Sequence, residues 1–223
     1  VRSMHFQCLI EDLSGRILVE HVMDKLKKEG YEFTVDSKAF QGIGGFKSTG
    51  KAKEIKTNKL LNDLLIFLRG FDKYFSGYDA CIVVVLDNDE RDIEEFQEQL
   101  NRQAVYAMRS VDQVFCVAIE EMEAWLLGDR EALFQAYPEA RESKYKEYRQ
   151  DSICGTWECL ADVVYKGGLK KFRKDCPTYR EIGKCKAEWA RAIGQYMNLD
   201  ANASPSFNRF VSELRSRLMP GCE

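Results

Sequence analysis

Three groups of acidic residues stand where apolar runs end. Asp87-Asn88-Asp89 follows Ala80 to Leu86, Glu11 follows Met4 to Ile10, and Glu120-Glu121-Met122-Glu123 follows Val114 to Ile119. One intervening residue in extended backbone sends the Asp87 and Asp89 carboxylates to the same side, where they can share one hard cation. Mg²⁺ or Mn²⁺ suits two or three carboxylates supplemented by phosphate oxygens. An ion held this way neutralises charge growing on a phosphodiester and lowers the pKa of an attacking water. Asp87 and Asp89 are therefore candidate metal ligands. Glu120 and Glu123 are three apart and face the same way if a helix begins there, which makes both candidates for further metal ligands.

Such acids converge only if the elements before them lie side by side. Ala80 to Leu86 is apolar without alternation and largely β-branched, the signature of a strand covered on both faces. Val114 to Ile119 reads the same way, and Met4 to Ile10 as a first strand. Between them stand helical patterns. Leu18, Val22 and Leu26 precede a stop at Gly30; Leu60, Leu61, Leu64, Leu65 and Leu68 form a strong stripe that Gly70 marks or bends; and Ile93, Phe96 and Leu100 form a third. Tyr31 to Val35 reads as a short second strand, with Asp36 to Glu54 as a long irregular stretch. Strands alternating with helices predict an α/β fold with a mainly parallel sheet, whose carboxyl edge is where ligands bind. After Gly128 only helices are expected, at Thr156 to Val164, Lys184 to Met197 and Ser206 to Leu218. The charged run Arg141 to Arg149 reads as a linker or exposed helix. The expected division is an α/β domain over 4–140 with a helical extension over 141–223 packed on it.

The totals narrow the function classes. The chain has 223 residues with 33 Lys+Arg against 36 Asp+Glu, so no overall basic field marks a nucleic-acid or membrane binder, and any polyanion contact is local. No apolar run approaches the roughly 20 residues that span a bilayer, and a cytoplasmic location is expected. Met4 directly precedes the first apolar stretch, so Val1 to Ser3 are expected to take no part in the fold. Of the eight cysteines, Cys8, Cys81 and Cys116 fall inside strands as small core residues. Cys154, Cys159, Cys176, Cys185 and Cys222 have spacings that match no C-x2-C pair, and only His5 and His21 could add imidazole, so no zinc site is expected.

Glu11 at the end of a first strand and Asp87-x-Asp89 at the end of a third resemble the TOPRIM domain of topoisomerases, primases and OLD-type nucleases. Including Glu120 to Leu127 and Ser204-Pro205-Ser206-Phe207, the chain is similar to bacterial TOPRIM-related proteins often encoded beside ATPases and linked to phage defence. The resemblance implies a TOPRIM-like sheet, an acid/base or shared-ligand role for Glu11, and preference for Glu123 over Glu120 as a ligand. It also implies an ATPase partner. The resulting expectation is a Mg²⁺-dependent nuclease or related phosphoryl-transfer enzyme acting on DNA or RNA, with homo-oligomerisation open.

Structural roles stand beside these. An Asp-x-Asp after a strand also caps helices, and Glu11 could serve a helix dipole. Lys47 and Lys51, in the glycine-rich stretch from Gly42, are candidate substrate-backbone contacts, although a Walker A fails because Ala52 replaces the hydroxyl residue after Lys51. Lys170-Lys171-Phe172-Arg173-Lys174 is the most basic run. The alternatives are a non-catalytic regulatory or metal-binding module partnering an ATPase, and a nucleotidyl transferase using the same metal chemistry.

Overall fold

The structure, a computed structural model, describes residues 3–46 and 58–219. Four strands, β1 (Met4–Ile10), β2 (Phe33–Ala39), β3 (Ala80–Asp87) and β4 (Asp112–Ala118), form an all-parallel sheet in the order β2-β1-β3-β4. β1 and β3 are the inner strands, each with a neighbour on both sides, and the unbroken apolar run of β3 suits a strand covered on both faces. β2 differs from expectation. It begins two residues later and runs on to Ala39, because its backbone pairs with β1 along the whole of Met4 to Ile10.

Register is what levels the carboxyl edge. Ile10 lies opposite Val85 and Asp87 opposite Ala118, so the residues that follow β1, β3 and β4 emerge together. Side-chain alternation then sorts the two faces. Cys81, Val83 and Val85 point into one apolar layer, and Ile82, Val84 and Leu86 into the other. Asp87, two residues after Val85, therefore points to the first layer.

That second layer holds α2 (Leu60–Tyr74) and α3 (Ile93–Ala107). Helix α2 runs straight past Gly70 for another turn because Phe71 and Phe75 continue its aromatic stripe, with ring centroids 5.8 Å apart. The first layer begins with α1 (Leu13–Lys28), whose entry is capped by Asp12 accepting from the Gly15 amide at 2.8 Å. It continues with α4 (Glu123–Leu127), α5 (Arg130–Ala136), α6 (Glu142–Tyr145), α7 (Thr156–Val164), α8 (Gly168–Asp175), α9 (Tyr179–Gly194) and α10 (Pro205–Leu218).

The residues after 141 share one continuous apolar cluster with β1, β3 and β4. Trp125 shows why. It is fully buried, stacks on Phe210 with centroids 5.2 Å apart, meets Phe207 edge-on at 5.6 Å, and donates from Nε1 to Ser206 Oγ at 2.8 Å. Gly128 closes the same junction, since a Cβ there would lie 2.1 Å from Asn202 Oδ1. In the basic run on α8, Phe172 is a core residue, while Lys171 pairs with Asp175 and Arg173 with Glu158.

Trp125→Ala is expected to cost roughly 3–5 kcal/mol in urea unfolding, the range for emptying a buried aromatic site. A chain ended after residue 140 is expected to lack a cooperative transition, because α9 and α10 would no longer cover the first layer. A cooperative melt from that fragment would show that the helical region is dispensable to the core.

Candidate functional site

Glu11 and Asp87 are brought together by the ladder itself. The Glu11 amide donates to Val85 O at 3.1 Å, and the Asp87 amide donates to Glu11 Oε2, also at 3.1 Å. The Glu11 side chain thus takes a position the next strand residue would occupy. Asp87 Oδ1 is sealed from solvent and has no hydrogen-bond partner.

Beyond Asp87 the extended path stops. The Asn88 amide donates to Ala118 O at 3.1 Å, and Asp89 turns into the left-handed region at φ 50°. Extended backbone was the condition for Asp87 and Asp89 to share a face. The turn breaks it. Asp89 Oδ2 instead accepts from Arg91 Nη1 at 2.6 Å, although its charge still acts on Glu11. The buried Asn88 side chain ties this turn to the next, accepting from the Glu120 amide.

Glu120 is not in the acidic centre. It sits at φ 58°, and α4 starts only at Glu123, so no helix spans the two glutamates and they diverge. The Glu120 carboxylate accepts the amides of Cys154, Gly155 and Thr156 at 2.8–3.0 Å and the Thr156 hydroxyl as well. These four donors outweigh burial and lower its pKa. It is an anchor for the N-terminus of α7, and both its oxygens are used. Glu121 partly follows it, accepting the Trp157 amide at 3.0 Å.

Glu123, 2 % exposed, faces inward. Its Oε2 lies 3.0 Å from Lys186 Nζ on α9, a charge contact without hydrogen-bond alignment. Lys186 Nζ is also 3.7 Å from Glu121 Oε1. No motif marks this lysine. Its signal is positional: Ile182, Lys186, Ala190 and Ile193 recur at helical spacing on the face of α9 that packs inward, so a charge interrupts an apolar stripe.

The electrostatics follow from too many acids around one ammonium. Burial opposes the charge on Lys186, yet Glu123, Glu121, Asp87 and Asp12 together raise its pKa well above the ordinary lysine value. Burial raises Asp87 well above the carboxylate range, reinforced by Glu11, and it also raises Glu123, with Lys186 opposing in both cases. Burial likewise pushes Glu11 and Glu121 up to about 7, against the Asp87 amide bond at Glu11 and against Lys186 at Glu121.

Among the described residues, no three Asp, Glu, His or Cys side chains stand close enough to hold a metal ion as they are placed. The donor set nevertheless fits a hard cation. Asp87 Oδ1 is a buried oxygen without a partner, and the carboxylates of Glu11, Glu123 and Asp12 act on Asp87 together with the Lys186 ammonium. A cleft of about 630 Å³ opens beside the centre, lined by Asp89, Arg91, Glu121, Trp157 and Glu158 among others. Among the described residues that line it, the only cation is Arg91. Lys47 and Lys51 lie outside the described residues.

Residues 10–215 match the model of a family described as a domain of unknown function (DUF4276). No curated protein and no solved structure matches the chain. No helix among the described residues is long and apolar enough to cross a membrane.

Two measurements test the charge balance. Glu11 and Glu121 hold protons in the fold that the unfolded chain has released above its carboxyl pKa of 4.5. The contribution of these two groups to stability is therefore greatest below that pH and falls as pH rises towards about 7, and Glu11→Gln should remove its share of that fall from the urea midpoint against pH. Lys186→Met leaves buried carboxylates uncompensated and is expected to cost roughly 3–5 kcal/mol at neutral pH. The cost should shrink at pH 4.5, where the acids take up protons; a loss independent of pH would place Lys186 in packing alone.

Proposed function

We propose that this chain, which belongs to the DUF4276 family, is a Mg²⁺- or Mn²⁺-dependent phosphodiester hydrolase acting on nucleic acid. One observation carries the reading: a buried carboxylate oxygen without a partner, Asp87 Oδ1, inside a group of acids at the carboxyl ends of parallel strands. Asp87 and Glu123 would hold the cation, with Glu11 beside them; Asp89 would join them only by leaving Arg91. Bound there, the cation supplies charge neutralisation at a phosphodiester and acidifies water.

The chain's own groups supply the rest. Glu11 Oε2 is held by the Asp87 amide, which leaves Oε1 to exchange a proton. Its carboxyl, raised by burial to about 7, can accept a proton from water and then return it to the leaving oxygen. Lys186 keeps Glu123 and Glu121 buried beside Asp87 without full repulsion. The acidic lining of the cleft needs cations from elsewhere to hold a polyanion. Lys47 and Lys51 are the proposed source within the chain, and another copy or a partner is the source outside it. The TOPRIM resemblance extends the proposal to an ATPase partner and to phage defence.

A second reading has its own observation. The Lys186 ammonium 3.0 Å from Glu123 already supplies a cation, which favours a non-catalytic regulatory module with an internally neutralised centre.

Calorimetric titration of Mg²⁺ and Mn²⁺ into the parent, Asp87→Asn and Glu11→Gln, run with cleavage assays on single- and double-stranded DNA and RNA, separates the two. The hydrolase should bind metal and cut, lose binding in Asp87→Asn, and lose roughly 100-fold or more of its rate in Glu11→Gln while still binding metal. Equal absence of metal uptake and cleavage in all three proteins would leave the module.

A further inference from the structure

Four of the cysteines that no strand accounts for form two pairs. Cys154 Sγ lies 3.7 Å from Cys159 Sγ, and Cys176 Sγ lies 3.6 Å from Cys185 Sγ. All four thiols are free. By contrast, Cys8, Cys81 and Cys116 are buried in their strands. Among the described residues no third Asp, Glu, His or Cys joins either pair.

Each pair bridges a junction rather than lying within one helix. Cys154 stands in the exposed turn before α7, and Cys159 in the second turn of that helix. Cys176 ends α8, and Cys185 is on α9. A disulfide has an S–S bond of about 2.05 Å, so closure needs each pair to approach by about 1.6 Å, within reach of side-chain rotation and a small backbone shift.

We propose that Cys154–Cys159 and Cys176–Cys185 are two dithiol sites that a small-molecule disulfide such as oxidised glutathione converts to intramolecular disulfides. In the first pair the solvent-exposed Cys154 thiolate attacks a glutathione sulfur and expels one glutathione thiolate. Cys159 then attacks the Cys154 sulfur of the mixed disulfide and expels the second. One S–S bond is made in the protein and one is broken in the oxidant; two protein thiols lose two electrons, two glutathione thiols gain them, and the two thiol protons pass to the products. Cys176 and Cys185 react in the same order. Burial pushes Cys159 and Cys185 up to about 12, so neither is the thiol that attacks first.

Each junction adjoins a charged residue already described. The Cys154 amide is one of the three that grip Glu120, and Cys185 directly precedes Lys186. Oxidation therefore staples the turn that grips Glu120 and the junction before Lys186. The proposal stands on thiol geometry and does not depend on the hydrolase reading.

The test equilibrates the reduced full-length chain in glutathione buffers of stepped potential, quenches with acid, alkylates and maps the peptides. The expected result is two cross-links, Cys154–Cys159 and Cys176–Cys185, in the same molecules, with a raised melting temperature on oxidation. Cys154→Ser should abolish the first link alone and Cys176→Ser the second alone. Persistent glutathione adducts, links to Cys222 or to another chain, closure of one pair only, or thiols that stay reduced would each overturn the proposal.

Discussion

Lys186 is the counter-charge on which the carboxyl edge of the sheet depends. An ammonium 3.0 Å from a carboxylate gains on the order of 5 kcal/mol at an effective dielectric of about 20, and desolvation costs several kcal/mol for each ion. One such contact is close to balance. It cannot also offset Asp87, Glu121, Glu11 and Asp12, so the remaining acids hold protons or call for another cation. Raised pKa values at Glu11, Glu121, Asp87 and Glu123 are the same fact seen from the acids.

This constraint explains the helical region. Lys186 rides on α9, which packs along α1, and α1 is entered through Asp12 at the edge of the centre. Glu120 reaches the other way and fastens the start of α7, while Asp129 caps α5 and accepts the Asn198 amide after α9. Polar groups at the ends of strands thus act as attachment points for helices from the second half of the chain. Burial of Trp125, Phe207 and Phe210 seals the joint.

Acids near the site divide by what surrounds them. Glu120, held by four donors, is kept ionised and inert; Glu11, with one amide bond and little solvent, is kept near neutrality in its titration. Residue type alone does not separate these two glutamates. The difference is the local supply of N–H groups: the N-terminus of α7 gives three amides to Glu120 and the Trp157 amide to Glu121.

The amino-acid pattern by itself determined the parallel sheet. Unbroken apolar runs at Ala80 to Leu86 and Val114 to Ile119, separated by a helical stripe, admit few other arrangements, and acids placed after them must emerge at one edge. Thr156 to Val164 was legible for the same reason, being local periodicity. Only the tertiary structure decided which acids meet. The left-handed turns at Asp89 and Glu120 depend on hydrogen bonds between loops 32 residues apart, as from the Glu120 amide to Asn88 Oδ1, and no local pattern encodes them. Lys186 stands 63 residues after Glu123 and reaches it only because α9 packs against α1 and α4. Periodicity records which face of a helix is buried; it does not record what that face is buried against.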